Sequence, residues 1–324
     1  MKMWQPDGRI TGPYPAREAE IGELNRLFAE AFTDRYRRDG LVGVRVPPLN
    51  PAVWTYALRD AGTGAMIWRD EQETLIAFNI AHHSGTEGWM GPLATRPDRQ
   101  GLGVGRAIVE AAIDWLKAAG VTTLGLETMP RTVDNIGFYS RLGFLPGHLT
   151  VTLGGDVSDK APRRFGVRLG DLPPDERADL VARCQARLER AAPGYDFTRE
   201  LELTHELGIG DTVVLERGGA IEGFALWHSA ALADARAADE LRVLKLFAAS
   251  RSAFEDLLRA AETAAARLRL RRVAVRCQAR YAHAYEALMA RRYDVRWTDL
   301  RMTLVGFPEA TPPGDEIVFS NWEI

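Results

Sequence analysis

The chain repeats itself, and that repeat bounds its architecture more tightly than any other feature. Two segments carry the same order of signals: an alternating apolar strand, a polar loop, an amphipathic helix, a second strand and a short helix. In the first half they fall at residues 89–95, a glycine-rich loop, 104–119, 123–128 and 135–142. In the second they fall at 241–247, 248–252, 253–269, 272–277 and 282–291. Leu124 and Leu126 project to one strand face at period two, as do Val273 and Val275, an offset of 149 residues. The same offset sets Gly143-Phe144 on Arg292-Tyr293. Val104, Ile108, Ala111 and Trp115 keep helical spacing, as do Phe254, Leu257, Leu258, Ala261, Ala265 and Leu268. Each copy has an earlier amphipathic helix (19–32 and 175–188) and a hairpin (65–68 with 73–81, and 212–216 with 220–227). The residues Gly154-Gly155-Asp156-Val157-Ser158-Asp159-Lys160-Ala161-Pro162 read as a linker. The expected layout is two α/β units, 1–155 and 156–310, with a tail at 311–324 that alternates like a strand.

Composition narrows the classes of function. The net charge is −3 with no basic excess, so nucleic acid is not an expected partner. Cys184 and Cys277 form no CxxC pair, and no His/Cys cluster suggests a structural metal. No stretch approaches the roughly 18 apolar residues of a membrane span, and Met1–Pro6 opens no apolar signal region, so a cytoplasmic protein is expected. Monomer and homodimer are both open.

The stretch Leu93-Ala94-Thr95-Arg96-Pro97-Asp98-Arg99-Gln100-Gly101-Leu102-Gly103-Val104-Gly105-Arg106 runs from a strand through a glycine-rich turn into a helix N-terminus. Glycine lets backbone approach a ligand, and the orphan N–H groups and helix dipole then face an anion such as a pyrophosphate. It is not a dinucleotide fingerprint, since Arg106 or Ile108 stands where a third small residue is needed, and it has no Gly-Lys-Ser/Thr of a Walker loop. It does satisfy Q/R-x-x-G-x-G/A, with Gln100, Gly103 and Gly105. After the next strand comes Asn135-Ile136-Gly137-Phe138-Tyr139-Ser140-Arg141-Leu142-Gly143-Phe144. These two motifs, in this order, resemble the GNAT superfamily of N-acetyltransferases, in a tandem form.

The resemblance implies two GNAT folds, each a mixed, mostly antiparallel sheet flanked by helices, and acetyl-CoA as acyl donor with no metal. The coenzyme would be held by Leu93, Ala94, Thr95, Gln100, Gly101, Leu102, Gly103, Val104, Gly105 and Arg106, with Asn135 and Tyr139 beside it. Asn135 serves equally as a helix N-cap. Tyr139 is implied as general acid to the departing thiolate; its alternative is a core aromatic beside Phe138. An oxyanion donor is implied near Leu93–Ala94. The general base is open among Glu87, Glu127, His82, His83 and an ordered water. Residues 32–38 and Val53-Trp54-Thr55-Tyr56 are expected around the acceptor pocket.

The second half has no Q-x-x-G-x-G. Carried across at 149, Gly103 and Gly105 become Ser252 and Phe254, Gln100 becomes Ala249, and Asn135 and Tyr139 become Ala284 and Leu288. A bulky Phe254 would crowd a pyrophosphate, so a degenerate second unit with no coenzyme site is expected. The tail is expected either on the N-terminal sheet or as the last strand of the second unit. The function expected is acetylation of a small-molecule primary amine; a protein or peptide amine, a longer acyl donor, and an acyl-CoA sensor without turnover are the alternatives.

Overall fold

In a computed structural model, residues 10–157, 166–310 and 314–322 are described. The first half contributes β1 (Thr11–Pro15), α1 (Ile21–Arg38), α2 (Pro51–Ala61), β2 (Ala65–Arg69), β3 (Leu75–Ser84), β4 (Glu87–Thr95), α3 (Val104–Ala118), β5 (Thr123–Thr128), α4 (Val133–Arg141) and β6 (Phe144–Asp156). The second contributes β7 (Val167–Arg168), α5 (Pro174–Ala191), α6 (Thr198–Glu206), β8 (Gly210–Arg217), β9 (Ala220–His228) and β10 (Glu240–Ala248). It ends with α7 (Arg251–Arg267), β11 (Arg272–Gln278), α8 (Ala282–Ala290), β12 (Asp294–Leu304) and β13 (Ile317–Ser320). The helix at 51–61 was not expected, although its start is conventional: the Asn50 side chain accepts from Ala52 N–H and Pro51 opens the first turn.

The repeat is confirmed in register. β4 pairs with β5 in parallel from Glu87↔Thr123 to Met90↔Leu126, and β10 pairs with β11 in parallel from Glu240↔Arg272 to Val243↔Val275. What the repeat did not disclose is how the copies join. The strand order among the described residues is β1-β2-β3-β4-β5-β12-β6-β11-β10-β9-β8-β7, so each half lends its last long strand to the other. β12 lies against β5 of the first half, and β6 against β11 of the second. Met302 and Leu304 are buried in the apolar core under α3, while Val151 and Leu153 are buried in the core under α7.

One expectation is corrected here, and of the two places expected for the tail the second is found. Gly154, Gly155 and Asp156 are not linker: they pair with Ala274, Val273 and Arg272 at the end of β6, and residues 158–162 lie outside the described residues. Glycine suits this place, because a Cβ on Gly155 would fall 2.5 Å from the Tyr293 ring. The strand that completes the first unit is β12, not the tail. The tail, β13, pairs with β10 of the second half from Lys245↔Ser320 to Ala248↔Ile317.

Candidate active site

The β4–β5 ladder stops at Met90↔Leu126. Gly91 follows with φ +140°, a backbone conformation open to glycine, and Pro92 has no N–H to offer. On its other side β4 stays paired with β3 through Thr95↔Ala77. Arg96 N–H bonds Ile76 O on that side, so alternation along the strand turns the Leu93 and Thr95 amides to the unpaired edge. At the head of the edge, Gly101 (φ +80°) and Gly103 (φ +85°) are left-handed, and Gly103 caps α3 with no side-chain cap on the first-turn N–H groups. Around both glycines the space a Cβ would enter is empty. Gln100 braces the loop: its Oε1 accepts from Arg38 at 2.9 Å and its Nε2 donates to Thr95 O at 3.4 Å. Arg106 is engaged with Glu110 on the helix surface.

A cavity of about 270 Å³ opens at the splay, walled by Met90 through Leu93, Leu126 through Met129, Asn135 and Tyr139. Tyr139 is buried, and burial raises its phenol well above the ordinary tyrosine range, so it keeps its proton. Asn135 lies inside α4, whose N-cap is Thr132, so capping does not account for it.

The remaining walls were not foreseen, because strand exchange brings them in. Arg276 comes from β11, Trp297, Asp299 and Arg301 from β12, and Ser320, Asn321 and Trp322 from the tail. Of the expected acceptor residues, Phe32, Arg35 and Tyr36 line the cavity. Val53, Trp54 and Tyr56 do not: they are buried, with the Trp54 indole N–H donating to Asn25 Oδ1 at 2.7 Å and its ring against Phe28 and Phe78.

The four base candidates have different surroundings. Glu127 lines the cavity but is gripped by Arg276, by Arg301 (2.7 Å) and by Thr150. Burial works against its charge, yet the two guanidinium groups hold its carboxyl below the usual range, which makes it a weak proton acceptor. Glu87 is buried just behind the wall; burial raises its proton affinity, with Lys245 and Arg301 acting the other way. His82 lines the cavity with both nitrogens engaged, Nδ1 on Asp60 Oδ2 (3.1 Å) and Nε2 on Gly91 O (3.0 Å). It thus ties the splay to α2 and stacks on Trp322 at 5.2 Å. His83 bonds Gly85 O and faces Trp115, outside the cavity wall.

Arg301 is the hub. Its guanidinium reaches Glu127 (2.7 Å), Glu309 (3.0 Å) and Glu87 (3.9 Å) and lies 3.8 Å over the Trp89 ring. Trp89 in turn occupies the space a Cβ on Gly125 would need, at 2.6 Å.

The second half lacks this opening. Only Ala249 and Ser250 separate β10 from α7, against residues 96–103 between β4 and α3. By position in the parallel ladders, Leu246 corresponds to Leu93, and that edge is taken by β13. The expected role of Phe254 is corrected: the shorter loop makes Ser250 the counterpart of Gly103, as N-cap of α7, and Phe254 packs in the core against Phe319 at 5.7 Å. Loop length and the seated tail, not Phe254, remove the site.

A splayed strand pair, a glycine loop and a buried tyrosine thus meet at one cavity. Residues 24–144, all within the first half, match the acetyltransferase (GNAT) family model. Serotonin N-acetyltransferase 2 of Oryza sativa is 29% identical over 126 residues, 39% of this chain and 56% of that protein. The ribosomal protein bS18-alanine N-acetyltransferase of Escherichia coli is 39% identical over 70 residues, 22% of this chain and 47% of that protein. The chain thus spans about half the length of the curated relatives it matches. Along nearly its whole length it shares the fold of a putative acetyltransferase from Pyrococcus horikoshii (TM-score 0.69, 16% identity, 99% of this chain and 96% of that one). It shares the fold, too, of a tandem GNAT protein from the clavulanic acid biosynthesis pathway (TM-score 0.59, 15% identity, 93% and 99%). Saccharomyces cerevisiae N-myristoyltransferase is similar in fold (TM-score 0.64, 11% identity, 95% and 85%).

Proposed function

We propose that the protein transfers an acetyl group from acetyl-CoA to the primary amine of a small molecule, at one site in the first half. The observation that carries this is the convergence of the unpaired Leu93–Thr95 edge, the capless start of α3 and the Tyr139 phenol on one cavity. The pyrophosphate would meet the amides of Gly101–Arg106, and the pantetheine arm would pair with the Leu93–Thr95 edge beside Asn135. The Leu93 N–H faces the place where the thioester oxygen becomes an oxyanion. Tyr139, held neutral by burial, supplies the proton to the departing thiolate. Glu87, its proton affinity raised by burial, is the better base of the two carboxylates. A cavity of about 270 Å³, lined by Trp297 and Trp322, suits a small acceptor better than a folded protein surface. The relatives named above are, by name, acetyltransferases of serotonin and of an alanine of a ribosomal protein, and the walls that would choose between such acceptors here come from the second half.

The test is release of free thiol from acetyl-CoA across a panel of amines. Tyr139→Phe is expected to lower kcat roughly 100-fold with little change in KM for acetyl-CoA. The rate should fall on acidification at a higher pH than an ordinary carboxylate would give, because the base must be unprotonated and Glu87 binds its proton more tightly than usual. Acetyl-CoA binding without turnover of any amine would favour a sensor; a Tyr139→Phe enzyme with unchanged kcat would remove Tyr139 from the chemistry.

A further inference from the structure

The β3–β4 register runs from Asn79↔Leu93 to Ala81↔Met90, so Gly91 and Pro92 stand opposite Ile80 alone. A bulge of this kind bends its strand and re-aims the groups beside it. On the other side the β5 ladder has already ended at Met90, so no ladder supports the bulge there. Side chains support it instead. The Gly91 carbonyl oxygen lies 3.0 Å from His82 Nε2, and His82 Nδ1 lies 3.1 Å from Asp60 Oδ2. Asp60 Oδ1 accepts from Arg199 Nε at 2.9 Å, and Arg199 Nη2 donates to His83 O at 2.7 Å. His82 and Asp60 are buried, whereas the Arg199 side chain, at the outer end, is 40% exposed. One line of contacts therefore runs from α6 of the second half, through α2 and β3, to the bulge in β4.

A carbonyl oxygen can only accept, so His82 Nε2 carries a hydrogen. Burial opposes the charge of Asp60, but His82, Arg199 and Lys245 outweigh it and hold the carboxyl below the usual range. An ionised carboxylate also only accepts, so His82 Nδ1 carries a hydrogen as well. A ring that donates at both ends has no lone pair to take a proton, and His82 leaves the set of base candidates. Its two hydrogen bonds fix the ring in its plane, and Trp322 from the tail covers its face at 5.2 Å and 19°. Lys245 Nζ in turn lies 3.6 Å over the Trp322 ring. We propose that His82 is the positioning residue for the oxyanion donor: by holding Gly91 O it fixes the bulge two residues before Leu93, with Asp60 and Arg199 orienting the ring. The proposal rests on the acetyltransferase reading, in which the Leu93 N–H faces the thioester oxygen. As the amine nitrogen bonds to the thioester carbon, that oxygen gains charge, and a donor displaced by about 1 Å loses much of its effect. Through Arg199 the second half bears on the chemistry of the first without touching the reacting atoms.

His82→Leu fills the space without a donor and is expected to lower kcat roughly tenfold to 100-fold. Its affinity for free coenzyme A, which has no thioester oxygen, should stay within about threefold of wild type. His82→Gln can set an amide N–H toward Gly91 O and should recover most of the lost kcat. Arg199→Ala leaves the cavity walls intact and should lower kcat by a smaller factor, roughly threefold to tenfold, because Asp60 still orients the ring. A merely structural histidine would lose coenzyme affinity together with kcat, and glutamine would serve no better than leucine. A His82→Leu enzyme within twofold of wild-type kcat, or a His82→Gln enzyme no faster than His82→Leu, would overturn the proposal. An Arg199→Ala enzyme with unchanged kcat would overturn the part given to the second half. Nitrogen-15 resonances of the His82 ring in the wild-type protein depend neither on turnover nor on a variant's folding. They should show hydrogen on both nitrogens near neutral pH, and one bare nitrogen would overturn the arrangement. Wild-type protein that releases no thiol with any amine would instead sink the acetyltransferase reading, while the ring nitrogens still decide whether His82 holds Gly91.

Discussion

Expressed separately, residues 1–157 and 166–324 should fail to give two folded domains, although the chain is a repeat. The first piece would lose β12, which pairs Leu300–Thr303 with Gly125–Thr128 and places Met302 and Leu304 in its core. The second would lose β6, which pairs with β11 over residues 150–156 and places Val151 and Leu153 in the other core. Each fully buried side chain of this size contributes about 1.5–3 kcal/mol on burial, so either loss consumes much of a stability of about 5–15 kcal/mol. Both new sheet edges would also expose unpaired backbone and invite aggregation. Thermal melts should show no cooperative transition for either piece, and co-expression should restore one complex with the intact chain's melting behaviour. A cooperatively folding 1–157 fragment that binds coenzyme A would contradict this account of the exchange.

Arg301→Leu is expected to cost roughly 3–5 kcal/mol at neutral pH, the usual penalty for removing one member of a buried ionic cluster. Arg301 is 2% exposed and its guanidinium serves Glu127, Glu309 and Glu87 together, so its loss leaves buried carboxylates short of a counter-charge. Arg276 and Arg280 retain part of the compensation for Glu127 and Glu309. The sign with pH is fixed by Glu127, whose proton affinity is lowered in the folded state. Its pairing stabilises the fold above the unfolded carboxylate range, and that contribution disappears as pH falls through the lowered value. The gap between variant and wild type in urea melts should therefore narrow on acidification. A loss under 1 kcal/mol, or one independent of pH, would show that Arg301 is not the hub.

The glycine loop and the short helix beside it were legible because their signals are local. Gln100, Gly103 and Gly105 fix one turn, and Asn135 and Tyr139 fix one short helix, so neighbouring residues carry all the information. The facing walls of the cavity were not legible. Trp297, Asp299 and Arg301 enter through a strand taken from the other half, and Trp322 through a tail seated on β10; no periodicity within a segment reports which sheet it joins. Phe254 shows a related failure. The offset of 149 holds at β5 and β11 but not before α7, because a shorter loop slides the alignment. Glu127 looked like a free carboxylate until its arginine partners from 149 and 174 residues away arrived beside it. The sign at Asn50-Pro51, a capping residue before a first-turn proline, was available and would have located α2.

The proposed function requires one coenzyme site per chain, at the glycine loop of the first half. Titration calorimetry with coenzyme A tests it most directly, comparing wild type with Gly103→Trp. Gly103 sits at φ +85° with open space ahead of it, so a tryptophan strains the cap and fills the ground the pyrophosphate would occupy. The expected result is one equivalent bound by the wild-type chain and binding lost, or weakened more than 100-fold, in the variant. Two equivalents per chain, or unchanged affinity in Gly103→Trp, would contradict it.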